Sequence, residues 1–170
     1  MYKIARSNIY FILLLALLLQ ITALDHLRIF GAKPDLVLIA VIFFGFFLGQ
    51  GAGLETGIVS GAACDMLGLD FFGMNMFVFA IIGLLAGAIS TKVFKESART
   101  QGSVVLFLTA VAAILHFVLV QMFSASLSLG FAEYLVGSVL PVSIYTSLVS
   151  IPIFLRLINI YDLRGAEEYL

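Results

Sequence analysis

Pro34 to Leu69 reads PDLVLIAVIFFGFFLGQGAGLETGIVSGAACDMLGL, a run of 36 residues with no basic side chain. As one helix it would be about 54 Å long at 1.5 Å per residue, well beyond a hydrocarbon core of about 30 Å. Gly49-Gln50-Gly51-Ala52-Gly53 puts three glycines and an amide into five positions, so the chain is expected to turn there. Two helices follow, over 34–48 and 53–69. Each lies near the lower edge of the roughly 17 to 25 residues that cross a bilayer. Helices this short imply either local bilayer thinning or burial inside a bundle.

The same character extends in both directions. Hydrophobic residues make up 62% of the 170 and charged residues 11%, with a mean hydropathy of +1.17. Soluble domains are about 45 to 50% apolar and about 25% charged, so a water-soluble fold is excluded. Further spans are expected over 8–24, 74–91, 103–123 and 134–158, with Pro141 and Pro152 kinking the last helix. The expected fold is an all-α, polytopic membrane bundle of six transmembrane helices, with residues 1–170 forming a single domain.

Lys3 and Arg6 ahead of an apolar run could be taken for a secretory leader. The run continues to about Leu24 and further apolar segments follow, so an uncleaved first span is more economical. Six spans with a cytoplasmic N-terminus put Lys3, Arg6, Lys92, Lys95, Arg99, Arg156 and Arg164 inside, leaving Arg28 and Lys33 outside. Five spans with an external N-terminus give the same split. The length argument and the glycine turn favour six. The expected outer loops, 25–33, 68–73 and 124–133, are short, and 161–170 is read as an interfacial tail.

Gly45, Gly49, Gly53, Gly57 and Gly61 recur at every fourth position, and Gly83 and Gly87 repeat the spacing on the next helix. Small residues so spaced form a groove that lets helix backbones approach closely. The groove serves either packing within the bundle or a partner's transmembrane helix. Ionisable groups within a bilayer cost about 2.5 to 3.5 kcal/mol at a helix centre. Glu55 is expected at interface depth, solvated or near a helix N-terminus. Asp65 is expected to cap or cross-link the loop Gly68 to Gly73, and His116 to be neutral and hydrogen-bonded. Cys64, the only cysteine, excludes an intramolecular disulfide and reads as a packed side chain.

Catalytic signatures are absent: no G-x-S-x-G, no H-E-x-x-H, no phosphate loop, and no second carboxylate sharing a helical face with Asp65. No enzyme, cofactor or metal site is expected. A net charge of -1 gives no pull toward nucleic acid.

Lys33-Pro34-Asp35-Leu36, the apolar run after it, the ladder ending in Gly61-Ala62-Ala63-Cys64-Asp65, and Gly68 through Gly73-Met74-Asn75 together resemble the rod shape-determining protein MreD family. The likeness is clearest from Pro34 to about Gly87; the first and the last two helices agree in hydrophobicity and length. The resemblance implies a noncatalytic scaffold of the bacterial inner membrane, within the elongasome that drives peptidoglycan synthesis. It implies the bitopic protein MreC as direct partner, with MreB, RodA and a penicillin-binding transpeptidase in the wider complex. Pro34, Asp35, Asp65, Gly68, Gly73 and Asn75 are the motif positions it marks, and Glu55 departs from the small or apolar residue expected there. The family is also similar in fold to the substrate-binding subunits of energy-coupling-factor transporters. A vitamin-binding membrane subunit is therefore the competing expectation. It would need a pocket of roughly 300 Å³ or more with converging polar groups.

Overall fold

The computed structural model describes residues 5–22, 33–68, 72–93, 97–123 and 130–161. The tail 162–170, residues 25–32, 69–71 and 124–129 of the expected outer loops, and Lys3, Arg28, Lys95 and Arg164 lie outside these residues. Six helices and no strand occur among the described residues: α1 (Arg6–Thr22), α2 (Leu36–Leu48), α3 (Gln50–Leu67), α4 (Met74–Ile89), α5 (Ala98–Phe123) and α6 (Phe131–Tyr161).

α2 is apolar on every face, and such a helix must be enclosed. Val37 to Phe47 are all buried. At 13 residues, about 20 Å, it is too short to cross a bilayer by itself. Its shortness is therefore resolved by burial at the centre of the bundle, where Phe43 meets Phe154 of α6 edge-to-face at 5.1 Å. α5 and α6 are long and apolar enough to cross a membrane, while α1, α2 and α4 are shorter apolar helices.

The turn between α2 and α3 is tighter than the glycine cluster suggested. Gly49 alone leaves the helical state, at φ 95° and ψ 179°, and Gly51 and Gly53 belong to α3. One left-handed residue reverses the chain because glycine has no Cβ to obstruct it. α2 and α3 then fold back antiparallel, with a Cβ on Gly53 falling 2.9 Å from the Gly45 Cα.

α5 begins at Ala98, five residues ahead of the expected span, and α6 contains a π-helical segment, Leu135–Val139. The segment ends where Pro141 begins to act. Proline has no N–H and its ring crowds the carbonyl four residues earlier, here Gly137. Widening that turn, so that Leu140 N–H bonds the Leu135 carbonyl, relieves the crowding without breaking the helix. Pro152 lies inside the same helix.

Polarity is arranged inside out. Phe11, Leu14 and Leu18 of α1, Met66 of α3, Phe77 of α4, Met122 of α5 and Val136 and Leu148 of α6 are exposed. Thr56, Ser60, Asp65, Gln101, Thr146, Ser147 and Ser150 are buried. In lipid, outward apolar groups cost nothing and inward small polar groups join helices. Ser147 shows this directly, donating to the Gly102 carbonyl across the α5/α6 contact at 2.8 Å.

Candidate functional site

α4 fills the glycine groove of α3. Gly53 faces Gly83, Gly57 faces Phe79, and Gly61 faces Asn75 and Met76, while Gly87 meets Gln50. Each step of four along α3 is matched by four back along α4, so the pair is antiparallel and in contact along its length. A Cβ on Gly61 would lie 2.6 Å from the Asn75 carbonyl oxygen. Gly45 of α2 joins the contact, with its Cβ position 2.6 Å from the Gly83 oxygen. Gly49 differs from the rest, having nothing within 4 Å, and serves the turn.

Asp65 sits at the far end of that seam. Its carboxylate accepts the backbone N–H groups of Gly73 at 3.0 Å, Asn75 at 3.0 Å and Met76 at 3.0 Å. The Asn75 amide adds a fourth bond at 2.9 Å. The first turn of a helix leaves four N–H groups without intrahelical partners. Here α3 supplies the cap for α4 through space, while Gly73, at φ 99°, makes the left-handed bend into the helix. Gly68 ends α3 with its N–H on the Cys64 carbonyl.

Asp35 does the same locally for α2. It is the N-cap, accepting Leu38 N–H at 2.9 Å. Gln20 of α1 completes the cap, its amide oxygen taking Leu36 N–H at 2.7 Å and Val37 N–H at 3.2 Å. The Gln20 amide nitrogen donates to Asp35 at 3.1 Å, and Asp35 N–H reaches the Thr146 hydroxyl of α6 at 3.3 Å. Pro34, buried beside this cap, precedes the first helical turn. Three helices therefore meet at the start of α2. The alternating helix directions put Asp35 and Asp65 at one end of the bundle, and Gly49 at the other.

Glu55 is the sixth residue of α3, past the first turn. It accepts the Tyr10 hydroxyl of α1 at 2.5 Å and stands 3.9 Å from the Arg6 guanidinium. Above this pair a half-open groove of about 350 Å³ runs between α1 and α3, lined by Tyr10, Leu14, Leu17, Val59, Ser60 and Ala63. Its two hydroxyls are already committed, Tyr10 to Glu55 and Ser60 to the Thr56 carbonyl at 2.6 Å. His116 is half-buried in α5 and bonds no described residue, so the expected pairing across the bundle is not found. Cys64 is half-buried against the core.

The family model for the rod shape-determining protein MreD matches residues 1–163. The chain belongs to the MreD family. MreD proteins are membrane proteins of rod-shape determination and are not enzymes. No curated protein and no solved structure matches the chain.

Two members of the site went unread in the sequence of this MreD family member. Gln20 is a lone amide in the apolar run of α1, and an unpaired amide in lipid is costly enough to announce a partner. Thr146 carries no such signal, because membrane helices contain many hydroxyls that simply bond their own helix.

Proposed function

We propose that the chain is a noncatalytic inner-membrane scaffold of the cell-wall elongation complex, binding MreC through the groove between α1 and α3. Supporting this is one observation: with α4 seated on the glycine ladder, that groove remains as an unfilled, apolar channel along a helix pair. A single transmembrane helix suits it, because association in lipid relies on close packing rather than on a hydrophobic drive. MreB, RodA and a penicillin-binding transpeptidase would then be reached through the wider complex. A vitamin-binding role, as in energy-coupling-factor transporters, draws no support from a groove whose lining hydroxyls are already bonded within the protein.

In this reading residues 1–170 form one multi-pass membrane domain with both termini in the cytoplasm. Arg6, Lys92, Arg99 and Arg156 mark the Gly49 end of the bundle and Lys33 the carboxylate end. Basic residues favour the cytoplasmic side, which supports Asp35 and Asp65 facing outward.

Coexpression with MreC and copurification in detergent tests the reading. Ala63→Phe and Leu14→Trp, both in the groove lining, should each cut MreC recovery at least tenfold, while Leu148→Trp, exposed on α6, should retain it. Wild-type recovery by both groove variants, as monodisperse proteins, would refute the assignment of this face.

A further inference from the structure

We propose that the crevice between the end of α4 and the start of α5 binds the headgroup of an anionic phospholipid, with the phosphate at Arg99. The crevice has a volume of about 410 Å³ and is open on one side. Arg99, Thr100 and Ser103 line it, against an apolar wall of Ile89, Val104 and Phe107.

Arg99, Ser103 and Phe107 are spaced four apart and all exposed, so they form one stripe on α5. Over about 12 Å that stripe passes from cation to hydroxyl to aromatic ring. A phospholipid changes in the same order, from phosphate through glycerol to acyl chain. Depth agrees: α5 has 26 residues, about 39 Å, against a core of about 30 Å. Its first turn therefore reaches the headgroup layer, and Arg99 is the only Lys, Arg, Asp or Glu in the helix.

Charge selects the occupant. Among the described residues that line the crevice none is acidic, and Arg99 is the one charged side chain. The first backbone bond of α5 is Gln101 N–H to the Ser97 carbonyl, at 3.0 Å. The crevice therefore lies beside the first turn of α5, at the positive end of its dipole. A zwitterionic headgroup would bring an ammonium into this field, whereas an anionic one does not. The apolar wall, continuous with the lipid-facing surface, favours a lipid over a soluble phosphate. Among the described residues the crevice shares no lining residue with the α1/α3 groove, so it stands apart from the MreC reading.

Native mass spectrometry of the full-length detergent-purified protein, titrated with phosphatidylglycerol or phosphatidylcholine, tests the site. Wild type should retain phosphatidylglycerol preferentially. Arg99→Gln should weaken that retention about fivefold, the effect of one cation near a membrane surface. Ser103→Phe, which fills the crevice and keeps every charge, should weaken it as well, whereas Lys92→Gln should not. Excess glycerol phosphate should fail to displace the lipid. Equal retention of the two lipids would overturn the proposal, as would wild-type behaviour of Arg99→Gln or Ser103→Phe. Equal losses in Arg99→Gln and Lys92→Gln would reduce it to diffuse charge, and displacement by glycerol phosphate would make it a soluble-anion site; either result overturns it too.

Discussion

Gly53 of α3 and Gly83 of α4 stand backbone against backbone, so that a Cβ on either would strike the other's carbonyl group. The obstacle is main chain, which cannot rotate away as a side chain could. Gly53→Ala or Gly83→Ala must therefore push the helices apart, at a cost of about 1 to 3 kcal/mol typical of overpacking. Gly51, on the same helix but exposed with nothing within 4 Å, is the control: alanine there should be neutral or stabilising by up to about 1 kcal/mol. The fraction surviving as a monodisperse peak after heating in detergent measures this. Midpoints equal to wild type for both seam variants would contradict the close approach.

Asp65 offers a carboxylate to four N–H donors, three of them the otherwise orphaned groups of α4. Asp65→Asn keeps one acceptor oxygen and turns an NH₂ toward the remaining donors. Bonds to a charged acceptor contribute about 1.5 to 3 kcal/mol each in net terms, so Asp65→Asn should lower the same thermal midpoint clearly and Asp65→Ala further. Asn75→Ala removes one side-chain bond and keeps the backbone cap. It should cost about 1 kcal/mol, and a loss as large as that of Asp65→Ala would show that the amide, not the cap, holds the turn.

Much of this arrangement was legible in the amino acids. Apolar runs of helix length announced the helices, because lipid tolerates little else. The ladder announced a groove, and Asp65 announced a cap for the following turn. The occupant of the groove was not legible: glycines four apart describe a surface, and Gly83 and Gly87 fit it no more obviously than a partner's helix would. Nor was the one glycine of three that makes the turn, since Gly49, Gly51 and Gly53 differ only in the φ the fold imposes. The π-helical stretch before Pro141 escaped for a related reason. A proline marks a defect, but neighbouring packing decides whether the helix bends, breaks or widens.

Gln20 reaches from α1 to complete the α2 cap, accepting two N–H groups and donating to Asp35. Gln20→Met keeps nearly the same volume and removes all three bonds, so Leu36 and Val37 N–H lose the Gln20 acceptor in a half-buried position. A buried donor so stranded costs about 1 to 3 kcal/mol. The variant should lose thermal stability in detergent, and amide exchange at Leu36 and Val37 should quicken more than at Phe43 in the helix centre. Unchanged exchange at those two amides would show that water or Asp35 replaces the lost cap.

Glu55 presents the opposite case, a carboxylate inside an apolar chain whose loss the fold should tolerate. Its side chain is 39% exposed, its cation Arg6 is 80% exposed, and they stand 3.9 Å apart. Exposed pairs of that kind contribute about 0 to 1 kcal/mol. The stronger contact is the hydrogen bond from Tyr10, which ties α1 to α3 at one end of the groove. Glu55→Gln retains an acceptor for that hydroxyl and should leave the thermal midpoint near wild type, with Arg6→Gln equally mild. Tyr10→Phe removes the tie itself and should cost about 0.5 to 1.5 kcal/mol. Because the same bond holds the groove walls, Tyr10→Phe should also weaken MreC recovery more than Glu55→Gln does. The reverse order would mean that the Glu55 charge, rather than the α1/α3 tie, matters at this end of the groove.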